Sequence, residues 1–267
     1  MATISKMSGG AKRRHSSLGL YVLSKPYIVF LIATILENRF SLCAAPIVYE
    51  VQLMWFAYLL LAIAYLLGSF PTGYLVGRLA GIDIRQLGSG STGATNVWRN
   101  VGKFAGILVF ITDFAKGLAA IYMMQSANWL MTSLNIKAEA IAQNELSLLV
   151  IGAGMLALIG HSRPIWLGFK GGKSVATGVG ILFMLNWVVA IAAFSIWLVT
   201  MAIWRTVSIS SIAAAAAAPF FMWTMQGNMI YASFVTAGCA FIIWLHRSNI
   251  ERILNGTEFT FKTEPKT

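Results

Sequence analysis

Apolar residues run along this chain in long, nearly unbroken blocks divided by short polar turns, not in the alternation of a strand or the single stripe of a soluble helix. A helix needs about 20 mostly apolar residues to cross a bilayer, somewhat fewer where tilt or local thinning helps. Blocks of that kind cover residues 53–76, 101–125, 146–162, 207–225 and 229–245. Residues 175–204 form another such block, too long for one ordinary pass, with Asn186 in its middle. We divide it there, into a short helix ending at Leu185 and a full one from Trp187 to Trp204. Gln226-Gly227-Asn228 reads as a turn. The pattern predicts an all-α integral membrane protein with seven transmembrane helices after residue 50.

Composition agrees and narrows the class. Of 267 residues, 58% are hydrophobic and 11% charged, with a mean hydropathy of +0.73. A soluble domain carries about a quarter charged residues, so soluble, disordered and disulfide-built classes are excluded. Cys43 and Cys239 form no metal or disulfide pattern, and no residue pattern demands a metal, nucleotide or haem. The charge is lopsided, 20 Lys+Arg against 9 Asp+Glu for a net +11. In a soluble protein that balance would suggest nucleic acid; in a membrane protein it first reports orientation, because cytoplasmic loops collect Lys and Arg. With the end of the first span inside, the inner turns hold Arg78, Arg85, Arg99, Lys103, Arg163, Lys170, Lys173 and Arg205, and the tail adds Arg247, Arg252, Lys262 and Lys266. The outer turns then hold Lys137 beside Glu139 and Glu145. Reading 175–204 as one pass would put Arg205 and the basic tail outside, so the charges favour the division at Asn186, with the C-terminus cytoplasmic.

Residues 1–53 are an N-terminal extension with several open readings. Lys6, Lys12, Arg13 and Arg14 precede an apolar patch over 26–36, which suits an eighth span, an interfacial helix or a signal-like segment. Met54 is a second candidate start. Residues 54–267 hold the seven spans, with glycine-rich inner loops at 82–100 and 163–174 and a C-terminal motif at 246–258. No internal repeat of the kind that builds many transporters is present.

The polar, glycine-rich clusters all fall on the inner side. The first is Gly88-Ser89-Gly90-Ser91-Thr92-Gly93-Ala94-Thr95-Asn96, followed by Arg99. Its glycines satisfy G-x-G-x-x-G, but no strand precedes it and the acid at the required distance, Asp113, lies inside a span, so a dinucleotide fold is rejected. A glycine-rich turn before a helix still suits an anion, with Ser89 and Thr95 offering hydroxyls and Arg99 a planar fork. The second is Gly168-Phe169-Lys170-Gly171-Gly172-Lys173-Ser174, one residue short of a P-loop and without its strand, yet again a phosphate-type turn at a helix start. The third is His246-Arg247-Ser248-Asn249, where a continued helix puts His246 and Asn249 on one face. Each also has a plain reading as a juxtamembrane turn or helix cap. Within the second span, Asp113 and Lys116 are spaced to form a structural ion pair that steadies the loop above. Gly73, Gly77 and Gly81 read as a close helix-packing stripe, and Pro71 as a kink in the first span.

Together with Gly68-Ser69-Phe70-Pro71-Thr72-Gly73-Tyr74, these segments resemble the acyl-phosphate-dependent glycerol-3-phosphate acyltransferases of bacteria, the PlsY family, over about residues 54–258. Where the family's commoner form has asparagine, this chain has Ser91. The resemblance implies seven spans with the N-terminus outside, the tail inside and the active site at the cytoplasmic face of the cell membrane. It implies transfer of an acyl group from acyl phosphate to the sn-1 hydroxyl of glycerol 3-phosphate, giving lysophosphatidic acid and phosphate. Catalytic positions are then Ser89, Arg99, Lys173, His246 and Asn249, and substrate-binding positions Gly88, Gly90, Gly93, Thr95, Asn96, Gly168, Lys170, Gly171 and Gly172, with Glu258 structural. The expected partners are the two phosphorylated substrates and the bilayer, with no nucleic acid. The chemistry is consistent by itself: phosphate is a good leaving group, so no nucleophile elbow is required, and none is present. An acyl-CoA acyltransferase would normally show His-x4-Asp, whereas this chain has only His246-x4-Glu251. An organophosphate transporter is the alternative from another class.

Overall fold

A computed structural model of the chain describes residues 52–136 and 140–260; the N-terminal patch over 26–36 and Lys137 lie outside the described residues. All regular structure among the described residues is helical. In chain order it comprises α1 (52–69), α2 (Thr72–Leu79), a 3-10 turn at Ile84–Gln86, α3 (Ala94–Asn100), α4 (Lys103–Gln125), α5 (Ala127–Ser133), α6 (Gln143–Ser162), a second 3-10 turn at Ile165–Leu167, α7 (Val175–Leu185), α8 (Trp187–Trp204), α9 (Val207–Met225), α10 (Met229–Leu245) and α11 (Arg247–Leu254). Among the described residues five helices are long and apolar enough to cross a membrane, and a sixth if α10 and α11, bent by 55°, count as one. The helix α7 has 11 residues. At about 1.5 Å per residue it covers roughly half of a ~30 Å hydrocarbon core.

The breaks follow from local chemistry. Asn186 takes an extended conformation, and its side chain accepts from the N–H groups of Val188 and Val189 at 3.0 and 3.1 Å, ending α7 and capping α8. Asn228 caps α10 in the same way through Ile230 and Tyr231. Pro71 interrupts the helix where the kink is expected, and α1 and α2 together still form one apolar span, Gln52–Leu79. The residue before a proline is pushed out of the α region, so α1 ends at Ser69 and α2 starts again at Thr72. The Phe70 carbonyl accepts from the Thr72 N–H at 3.0 Å and from the Lys116 ammonium, which also sits 2.6 Å from Asp113. The ion pair on α4 therefore fastens the broken span.

Glycines set the helix spacing elsewhere than the stripe at 73–81 suggests. A Cβ on Gly73 would lie 1.8 Å from the Thr92 carbonyl, and Gly77 faces Ile84, so this face packs on the following loop and not on another helix; Gly81, at φ 79°, makes the turn. Close helix contacts lie at Gly68 of α1 against the Ala157 carbonyl and Gly160 of α6 against the Tyr65 carbonyl, and at Gly117 of α4 against the Thr177 carbonyl and Gly180 of α7 against the Phe114 carbonyl, the last two seating the short α7 directly on α4. The outer surface stays apolar: Ile191, Leu198, Val199 and Ile203 of α8 are about half exposed, as lipid contact requires and water would penalise.

Candidate active site

The loop before α3 is organised by Asn96, which is buried. Its amide nitrogen donates to the carbonyls of Ile84, Leu87 and Ser91, and its amide oxygen accepts from the Ser89 N–H and from Asn100. Asn96 thus spends its hydrogen bonds inside the loop, and so do several N–H groups that a phosphate cradle would need. The Gly90 N–H goes to the Leu87 carbonyl and the Gly93 N–H to the Ser91 hydroxyl. Gly88, at φ 53°, is required because a Cβ there would meet the Asn96 oxygen at 2.5 Å. This scaffold fixes α3 so that Ser89, Thr95 and Arg99 face one cavity.

The second loop is built on His161. A Cβ on Gly172 would lie 2.1 Å from His161 Nε2, and one on Gly171 2.2 Å from the His161 carbonyl. Their N–H groups donate to the carbonyls of His161 and Ser162 at 3.1 and 3.2 Å. These glycines let the loop close over the histidine; their amides are not directed at a ligand. Gly168 and Phe169 turn the chain at φ 61° and 62°. Ser174, at φ 60°, donates to the Leu158 carbonyl at 2.7 Å and starts α7. Lys173, between them, is half-buried and lines the cavity, whereas Lys170 is exposed outside it.

The third motif lies at the 55° bend between α10 and α11. His246 is at the junction, not inside a continued helix, yet it and Asn249 line the same cavity. A carbonyl only accepts, so the 2.8 Å contact between His246 Nδ1 and the Ile242 oxygen places the proton on Nδ1 and leaves Nε2 as an acceptor. Glu258 ties the region together: it accepts from Ser208 of α9 at 2.8 Å, from Asn249 at 2.7 Å and from Arg252 at 2.7 Å. Asn249 borders the cavity, while its amide oxygen is buried and without a hydrogen-bond partner.

The cavity itself has a volume of about 490 Å³. Its polar mouth gathers Ser89, Thr95, Arg99, Lys173, His246 and Asn249; Gly93, Asn96 and Glu258 also border it, while Gly88, Gly90, Gly168, Lys170, Gly171 and Gly172 do not. Below the mouth an apolar shaft continues between α4, α7, α8, α9 and α10. Sequence reasoning did not anticipate the shaft, since small residues such as Ala190, Ala214 and Gly238 carry no chemical signal, nor that Asp113 and His161, 3.7 Å apart, border the cavity.

Charge in the mouth is poorly compensated. Neither Arg99 nor Lys173 forms an ion pair among the described residues; Arg99 donates to the Phe259 carbonyl at 3.3 Å and lies over its ring. Burial lowers the pKa of Arg99, opposed by Glu258. Burial, aided by the charges of Arg252 and Arg99, brings Lys173 down to about 8. Burial likewise takes His246 down to about 4, with the hydrogen bond to Ile242 opposing and the Lys173 charge reinforcing the shift, so its ring is neutral at pH 7. Two cations, hydroxyls and neutral acceptors above an apolar shaft suit an amphiphile with an anionic head. Among the described residues no cluster of three His, Cys, Asp or Glu side chains offers a metal site.

Comparison with known proteins points the same way. A family model described as glycerol-3-phosphate acyltransferase matches residues 58–256. A glycerol-3-phosphate acyltransferase of Thermosynechococcus vestitus is 47% identical over 201 residues, covering 75% of this chain and 92% of the relative. One from a Synechococcus species is 49% identical over 209 residues, covering 76% and 93%. The crystal structure of PlsY (YgiH), an integral membrane glycerol 3-phosphate acyltransferase in its glycerol 3-phosphate form, superposes with a TM-score of 0.67 at 36% identity, covering 78% of this chain and 96% of that one. Its lysophosphatidic acid form gives 0.65 at 35% identity, covering 78% and 97%.

Proposed function

The chain belongs to the glycerol-3-phosphate acyltransferase family and acylates glycerol 3-phosphate at a membrane, and we propose that its acyl donor is an acyl phosphate bound in the cavity described above. The observation that carries the proposal is the union of a cationic mouth and an apolar shaft in one cavity. Both substrates present phosphate at the mouth, where Arg99 and Lys173 supply positive charge and Ser89 and Thr95 hydroxyl donors. The acyl chain descends the shaft. The acceptor lies against α11, its sn-1 hydroxyl directed to His246 Nε2 and its remaining polar groups beside Asn249.

The reaction then needs no covalent intermediate on the protein. The sn-1 oxygen attacks the acyl carbon, an ester C–O bond forms, and the bond from that carbon to the phosphate oxygen breaks. The departing phosphate keeps the electron pair. A histidine with its pKa lowered to about 4 is a weak base. We therefore assign His246 chiefly to orienting the hydroxyl, whose proton ends on the released phosphate, a group with a second pKa of about 6. Orientation of the acceptor and stabilisation of the developing charge supply the rate. His246→Gln is expected to raise the acceptor's KM and lower kcat in steady-state kinetics; unchanged values of both would remove His246 from the site.

Lys173 should leave a mark on the pH profile. Because its pKa is brought down to about 8, its charge is present below that pH and lost as pH rises through it. We expect kcat/KM to fall on this alkaline limb. In Lys173→Arg the limb should disappear from that range, since arginine stays charged.

In the membrane we propose seven passes, counting the short α7 as one, with the core's N-terminus outside and its tail, glycine loops and active site on the cytoplasmic face of a bacterial cell membrane. The positive charges of the connecting turns support this orientation. The transporter alternative makes a separate forecast. A transporter accumulates labelled glycerol 3-phosphate in sealed vesicles without lipid formation, whereas the enzyme acylates it in detergent, where no compartment exists. Labelled lipid in detergent supports our reading; uptake without lipid overturns it.

A further inference from the structure

The shaft ends inside the protein. On α9 it is bordered by Ser208 near the mouth and by Ala218 at its lower end, a separation of about 15 Å at ~1.5 Å per residue. Along α10 the corresponding limits are His246, just past its C-terminal end, and Phe234, roughly 18 Å apart by the same rise. On α8 the deepest bordering residue is Ala190. One helical step beyond Ala218 lies Met222, and beside Ala190 lies Val189; both are fully buried and neither borders the cavity, so solid core closes it from below. The shaft therefore reaches about as deep as one leaflet, half of a ~30 Å hydrocarbon core.

We propose that Ala190, Ala218 and Phe234 form the floor of the acyl site and set the longest acyl chain the enzyme transfers. The proposal rests on the acyl-phosphate reading above and extends it to substrate choice. A methyl side chain at 190 and 218 leaves room that a larger one would fill. The ring of Phe234 reaches toward Gly154 of α6, where a Cβ would lie 2.7 Å from its Cζ, so removing the ring opens the floor toward α6. An added or missing methylene in an apolar pocket changes kcat/KM by about 10- to 200-fold, which makes the floor legible in a chain-length series.

The experiment compares dodecanoyl, hexadecanoyl and octadecanoyl phosphate as donors for the purified parent protein and two variants. In Ala218→Leu the ratio of kcat/KM for the octadecanoyl to the dodecanoyl donor should fall about tenfold or more. In Phe234→Ala the same ratio should rise. The two variants are read independently, so a folding failure in one leaves the other decisive. An unchanged ratio, or equal losses with all three donors, overturns the proposal. If the parent protein uses no acyl phosphate at all, the donor reading fails by itself. The floor is then tested by competition among lysophosphatidic acids of the same chain lengths, where Ala218→Leu should weaken the longest selectively, and uniform competition would overturn it.

Discussion

Arg99→Ala is expected to reduce kcat/KM by about 10²- to 10³-fold, the usual effect of removing one preorganised charge or donor from a transition state. The guanidinium stands on α3, a helix of seven residues held by the buried Asn96 and ending before Gly102, so its position is fixed by packing and not by chance. Its neighbours leave the charge available: a carbonyl at 3.3 Å and an aromatic face, with no carboxylate paired to it among the described residues. Partial burial removes water that would otherwise screen it. Arg99→Lys should recover only part of the loss, because an ammonium keeps the charge without the planar fork. Steady-state kinetics with labelled glycerol 3-phosphate, beside a thermal melt of the detergent-solubilised protein, separate lost chemistry from a loosened C-terminal segment. A rate within a few-fold of the parent would take Arg99 out of the site.

The largest expected effect on stability lies deeper. Lys116→Met should destabilise the protein by about 3–5 kcal/mol, because it leaves the Asp113 carboxylate buried without its partner. In the parent the Lys116 ammonium bridges that carboxylate, at 2.6 Å, and the Phe70 carbonyl at the break before Pro71. Both side chains are under a tenth exposed. The variant therefore loses an ion pair and the tie across the break between α1 and α2 at once. Combining it with Asp113→Asn should restore part of the stability, since the stranded charge is gone. Thermal unfolding in a fixed detergent checks both steps, and equal melting temperatures for parent and Lys116→Met would contradict the account.

Much of the architecture can be read from the sequence because the bilayer imposes one simple rule, that backbone polar groups pair within apolar helices. The division at Asn186 needed only an over-long apolar block and the sign of Arg205. The polar clusters were equally visible, since glycine, serine and lysine stand out in an apolar chain. Their internal wiring was not. Asn96 looked like a ligand and turns out to be consumed by three carbonyls, an N–H and Asn100, because a loop folded on itself must first satisfy its own backbone. Gly171 and Gly172 looked like a cradle and instead admit the His161 ring. A glycine needed for close approach and one needed to bind an anion leave the same letter in the sequence. The role of Glu258 as the junction of α9 and α11 depends on residues 50 and 9 positions away and has no local pattern to announce it.

We propose that one cavity, cationic at its mouth and apolar below, joins an acyl phosphate to glycerol 3-phosphate. It is tested most directly by giving the purified protein in detergent a long-chain acyl phosphate and labelled glycerol 3-phosphate, and counting both products. Labelled lysophosphatidic acid and inorganic phosphate are expected in equal amounts, with no product when acyl-CoA replaces the acyl phosphate. Lipid formed only from acyl-CoA, or phosphate released without labelled lipid, would contradict it.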